Sequence, residues 1–164
     1  VVYLITFSCY GCHLHGAESG SVDRAHRLPG SPSLPADPAL QSRDEVQLDQ
    51  PPYQLDAPRR AAVLEAIREV CRYRSWRLLA AHVRSTHVHA IVESTLRPER
   101  VMQDFKSYAS RALNRLALDS PGRHRWTRHG STLWLWTPAE ITSAIHYVSE
   151  LQGLPMAVFR DPLL

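Results

Sequence analysis

The stretch that most constrains the fold is residues 76–93, two apolar runs separated only by Arg84-Ser85. In the second run Val88, Ala90 and Val92 alternate with other residues, which is the period of a strand and not of a helix. Two strands joined by so tight a turn have to pair as an antiparallel hairpin. Strand side chains point alternately to opposite faces, so His87 and His89 share one face while Val88 points into a core on the other. Two imidazoles held at a fixed separation by one strand can bind one divalent cation. His13-x-His15 repeats the spacing elsewhere, so the meaning of His87-Val88-His89 comes from its apolar strand setting.

The rest of the chain can be arranged around this hairpin. Residues 1–10 read as a buried β-branched strand ended by Gly11. Residues 16–57 hold Pro29, Pro32, Pro35, Pro38, Pro51 and Pro52 and read as an irregular insertion, functional or mobile, with a short strand expected at 20–24. Asp56 caps a helix reaching about Tyr73, with Val63, Leu64, Ile67, Val70 and Cys71 as its apolar stripe. Pro98 opens another helix, to about Ala117, that buries Val101, Phe105, Tyr108, Ala109, Ala112 and Leu116. Arg100, Lys106, Arg111, Asn114 and Arg115 lie off that stripe, as a basic surface facing either solvent or phosphate. A basic loop at 121–130 with Arg125 and Arg128 leads into a strand at 131–136, where Trp134 and Trp136 share a side. Aromatic rings beside cations can stack bases, or they can fill a core. Thr137-Pro138-Ala139-Glu140 is a capping box with proline at the first helical position, and Gly153 and Pro155 stop the helix it begins.

The element order is strand, helix, strand, strand, helix, strand, then an extra helix. It predicts one α+β domain over residues 1–164, of the ferredoxin-like, split βαβ plan, with an antiparallel sheet, helices on one face and a C-terminal helix besides. The histidines would then face away from the two sheet-covering helices, and the last helix would cross that open face with Tyr147.

Composition narrows the function. The formal net charge is +3, and of the 19 Lys and Arg only Lys106 is a lysine, which suits but does not demand a nucleic-acid partner. No run approaches the roughly 20 apolar residues of a membrane helix. No secretory signal is visible, and a start at Val-Val-Tyr suggests that an N-terminal piece is missing. Three cysteines argue against a disulfide framework and for a reducing compartment. Cys9 and Cys12 with His13 and His15 offer an alternative zinc set, though ligands so close in sequence rarely close a tetrahedron by themselves.

Four stretches, in order, resemble the HUH single-tyrosine transposases, including those associated with repetitive extragenic palindromes. They are Ile5-Thr6-Phe7-Ser8-Cys9-Tyr10-Gly11, His87-Val88-His89, Phe105-Lys106-Ser107-Tyr108 and Tyr147-Val148-Ser149-Glu150-Leu151-Gln152-Gly153. The resemblance implies a Mg²⁺ or Mn²⁺ ion on His87 and His89, with Tyr147 attacking a phosphate of single-stranded or hairpin DNA to form a 5′-phosphotyrosine link. The link conserves the energy of the broken bond, so no ATP site is required. The family often places a Gln or Asn ligand four residues after the tyrosine, where this chain has Leu151. Glu150, on the same flank as Tyr147, is the preferred third ligand, and Gln152 is the alternative. Tyr108 is a rival nucleophile whose stripe position reads as core. Lys106, Arg111, Arg125 and Arg128 are the expected DNA contacts. The resemblance further implies a bacterial, cytoplasmic protein at the nucleoid, with no membrane partner and with homodimers among the arrangements paired enzymes of this type use. The alternative from a different functional class is a non-catalytic nucleic-acid-binding module on the same fold.

Overall fold

The computed structural model describes residues 1–12 and 48–164. The short strand expected at 20–24, most of the proline-rich insertion, and His13 and His15 of the alternative zinc set lie outside the described residues. Of that set Cys9 is buried, and Cys12 Sγ donates to Tyr53 O at 2.7 Å.

The elements run β1 (Val2–Ser8), α1 (Ala57–Arg74), β2 (Arg77–Val83), β3 (His87–Glu93), α2 (Pro98–Leu116), β4 (Ser131–Leu135), α3 (Pro138–Glu150) and β5 (Ala157–Arg160). The sheet is antiparallel in every pairing, in the order β4-β1-β3-β2-β5. Its first four strands have the split βαβ order that the sequence predicts. The strand β5 was not foreseen. It follows the Gly153 and Pro155 stop signals and extends the sheet beyond β2.

Local signals set the helix ends. Asp56 Oδ1 accepts from the Arg59 amide at 3.1 Å, and α1 stops at Ser75 in the left-handed region, φ 57°. Thr137 and Glu140 exchange both capping-box hydrogen bonds at the start of α3. The helices α1 and α2 pack together on one sheet face, over Tyr3, Ile5, Phe7, Val88, Ala90 and Val92. The opposite face is covered by α3, which buries Ala144, Ile145 and Val148 against Leu4, Leu79, Ala80, Ile91 and Leu135. A register shift between Leu78 and Ala80 in β2 accompanies this second, smaller core.

Candidate active site under the C-terminal helix

The hairpin register aligns a polar row across three strands. Thr6 on β1 is paired with His89 on β3, which is paired with His82 on β2; one step along, Ser8 is paired with His87. Directly paired residues share a face, so the whole row lies beneath α3. The His87 and His89 ring centroids are 4.9 Å apart, and the Tyr147 ring lies 5.8 Å from that of His89 in the same chain. Tyr108 belongs to α2, on the opposite face, where it packs against the main core and carries the Arg111 guanidinium over its ring at 4.4 Å.

Both histidines engage a threonine hydroxyl through Nδ1: His89 with Thr6 Oγ1 at 2.8 Å and His87 with Thr86 Oγ1 at 3.1 Å. A hydrogen bond at Nδ1 orients an imidazole so that its Nε2 edge can serve a cation. Burial, and after it the neighbouring His87, pushes the His89 pKa down to about 3, so the ring is neutral near pH 7, as a ligand must be. This donor chemistry fits a divalent ion.

The two candidates for a third ligand are placed differently. Glu150 does not reach the histidines. Its Oε1 accepts from Arg160 Nη1 at 3.2 Å, its Oε2 lies 3.3 Å from His146 Nδ1, and its side chain is 52% exposed. Arg160 belongs to β5, the strand absent from the sequence reading, and draws the carboxylate outward. Among the described residues no group of three His, Cys, Asp or Glu converges as a metal site. Gln152, the alternative, lies beside Tyr147. Helix α3 ends at Glu150, so Gln152 leaves the helical wheel. Its Nε2 donates to Tyr147 O at 3.3 Å, and its amide also lies close enough to His89 to oppose the burial shift through a side-chain hydrogen bond.

Two of the expected DNA contacts face inward. Lys106 is 7% exposed and donates to the carbonyls of Thr127 and His129 at 2.9 and 3.2 Å. Burial lowers its pKa. Helical periodicity placed it off the apolar stripe, but the 121–130 loop folds over that flank. Arg125 is held by Asp119 and Asn114, and Asp119 is shared with Arg59 and Tyr53. These residues brace the loop to the helices. Arg111 and Arg128 are exposed. The loop is tied to the histidine end of the sheet, because Thr127 N donates to Ser8 O at 3.0 Å and Ser8 is paired with His87. Trp134 on the edge strand β4 and Trp136 just past its end stack at 5.2 Å, 40% and 70% exposed.

Thr6 and His82 escaped the sequence reading. For His82 the advance signal was the hairpin, but the turn expected at Arg84-Ser85 sets it opposite His87, and the observed register sets it opposite His89; Thr6 lies on β1, outside the hairpin.

The sequence profile of the family described as "Transposase IS200 like" matches residues 53–134. No curated protein matches the chain. A solved structure of a REP-associated tyrosine transposase bound to a REP hairpin aligns with a TM-score of 0.48 at 13% identity, over 90% of this chain and 63% of that one. The chain thus spans less than two thirds of that protein's length.

Proposed function

Because the chain belongs to the IS200-like transposase family, we propose that it is a metal-dependent HUH endonuclease that cuts and rejoins single-stranded DNA through a 5′-phosphotyrosine intermediate, in transposition or in processing repetitive palindromes. The observation that carries this reading is the approach of the Tyr147 ring to 5.8 Å from His89, beside His87 on the same face. His87, His89 and Gln152 are the residues that would hold Mg²⁺ or Mn²⁺, with Thr6 orienting His89. The ion would serve as a Lewis acid on the scissile phosphate.

Tyr147 is the nucleophile. Its phenolic oxygen gives up its proton and forms a bond to phosphorus while the bond from phosphorus to the 3′-oxygen breaks, and that oxygen leaves as a 3′-hydroxyl after taking up a proton, so one proton is lost and one gained. A 3′-hydroxyl attacking the phosphotyrosine reverses the exchange and rejoins DNA. The closeness of the Tyr147 and His89 rings within one chain supports a site assembled from a single chain. Arg111 and Arg128, both exposed, contact phosphates of a single-stranded or hairpin substrate, while Lys106 and Arg125 hold the loop that presents Arg128.

The test is a denaturing gel after incubation with labelled hairpin DNA and Mg²⁺. Wild type should yield a covalent protein–DNA band. His87→Ala with His89→Ala should yield none while keeping the wild-type fold, because the rings lie outside the main core. A full-strength band from the double variant would remove the metal site from the mechanism.

A further inference from the structure

His82 is 1% exposed and lies on β2 directly opposite His89. Its Nδ1 is 3.1 Å from the Val148 carbonyl, and its Nε2 accepts from the Met156 amide at 3.1 Å. One ring nitrogen donates and the other accepts, which identifies a neutral imidazole with its proton on Nδ1. The two partners bracket the chain that matters for the site. Val148 follows Tyr147 directly, and Met156 lies on the far side of Gln152 and Gly153. The Val148 carbonyl is among the last of α3, which have no partner within the helix. Arg84, two residues along the same strand end, adds a second grip: its Nη1 donates to Leu154 O at 2.9 Å. The turn between needs Gly153 at φ +79°, and β5 then pairs Ala157 with Val83.

Building on Tyr147 as the nucleophile, we propose that His82 is a positioning residue that clasps both ends of the 148–156 segment and so sets Tyr147 and Gln152 against His89. A buried imidazole needs a partner at each ring nitrogen, and His82 finds both on the one segment that follows Tyr147. Tyr147 has one covalent route to the sheet on its C-terminal side, through this segment. Ala144, Ile145 and Val148 anchor α3 to the sheet, and without the clasp the chain that leaves the helix after Val148 can shift, and with it the setting of Tyr147 and Gln152. A misplacement of about 1 Å at a reacting group can cost on the order of 100-fold in rate.

The test measures the single-turnover rate of adduct formation at saturating hairpin DNA with Mg²⁺, the DNA dissociation constant, and hydrogen exchange at the Met156 amide. His82→Ala should slow adduct formation about 10–100-fold, leave DNA affinity within about twofold, and speed Met156 exchange. His82→Asn, whose amide can still donate to Val148, should regain part of the rate and, being the smaller change, covers the case in which His82→Ala does not fold. An adduct rate equal to wild type in a folded His82 variant overturns the proposal. So does loss of DNA affinity in step with rate, which would mark a general structural role. Absence of any adduct in wild type instead overturns the reading of Tyr147, and with it the role assigned here.

Discussion

The two faces of the sheet are made by the same strands and are opposite in character. From β1, Tyr3, Ile5 and Phe7 go to the face under α1 and α2, while Leu4, Thr6 and Ser8 go to the face under α3. From β3, Val88, Ala90 and Val92 oppose His87, His89 and Ile91. The first face is mainly a packing surface, to which the strands give Tyr3, Ile5, Phe7, Val88, Ala90 and Val92. The second carries imidazoles and hydroxyls in a buried setting, which is tolerable because His82 and His89 each have hydrogen-bond partners. The difference teaches that stability and chemistry are divided by strand parity, so substitutions one residue apart should have separable effects.

The largest expected effect contrasts a tyrosine from each side. Tyr147→Phe keeps the ring and loses the attacking oxygen, so it should fold, bind DNA and form no covalent adduct; Tyr108→Phe, on the opposite face, should form it. The reverse pattern on the gel would move the nucleophile to α2.

Packing should dominate on the other face. Phe105 is fully buried and edge-on to Trp76 at 6.2 Å. Phe105→Ala should cost about 3–5 kcal/mol in denaturant unfolding, while adduct formation per folded molecule stays near wild type. A selective loss of chemistry at full stability would break the division between the faces.

A finer contrast lies within the chemical face. Gln152→Ala should raise the Mg²⁺ or Mn²⁺ concentration needed for adduct formation by about 10–100-fold, the size of effect seen when a metal's supporting groups are removed. Glu150→Ala, which loses only exposed pairs with Arg160 and His146, should change it by less than about twofold. If Glu150→Ala has the larger effect, the third ligand is the carboxylate.

The smallest effect concerns acid. His89 titrates at about 3 in the folded protein against 6.5 as its ordinary value. Between those pH values the unfolded chain binds the extra proton, so this contribution is complete above pH 6.5 and is lost as the pH falls toward 3. Metal-free wild type should therefore lose thermal stability more steeply over that window than His89→Asn. Parallel Tm profiles would show that His89 is not buried as described.

Local chemistry in the sequence determined the hairpin, the shared face of His87 and His89, the capped start of α3 and the strand order of the first four strands. Alternation, capping and turn signals act over a few residues, and they leave their mark in adjacent letters. They also placed Tyr147 on the helix that covers the histidines. Where a long polar side chain ends up was decided elsewhere. Glu150 turns outward because Arg160, ten positions on, waits on an unforeseen edge strand. Gln152 turns toward His89 because the helix ends two residues before it. Lys106 is inside because carbonyls about twenty residues away close over it, and His82 finds Val148 across 66 positions. A flexible polar chain takes the nearest partner in space, and that partner exists only after the sheet, its fifth strand and the covering loop have assembled.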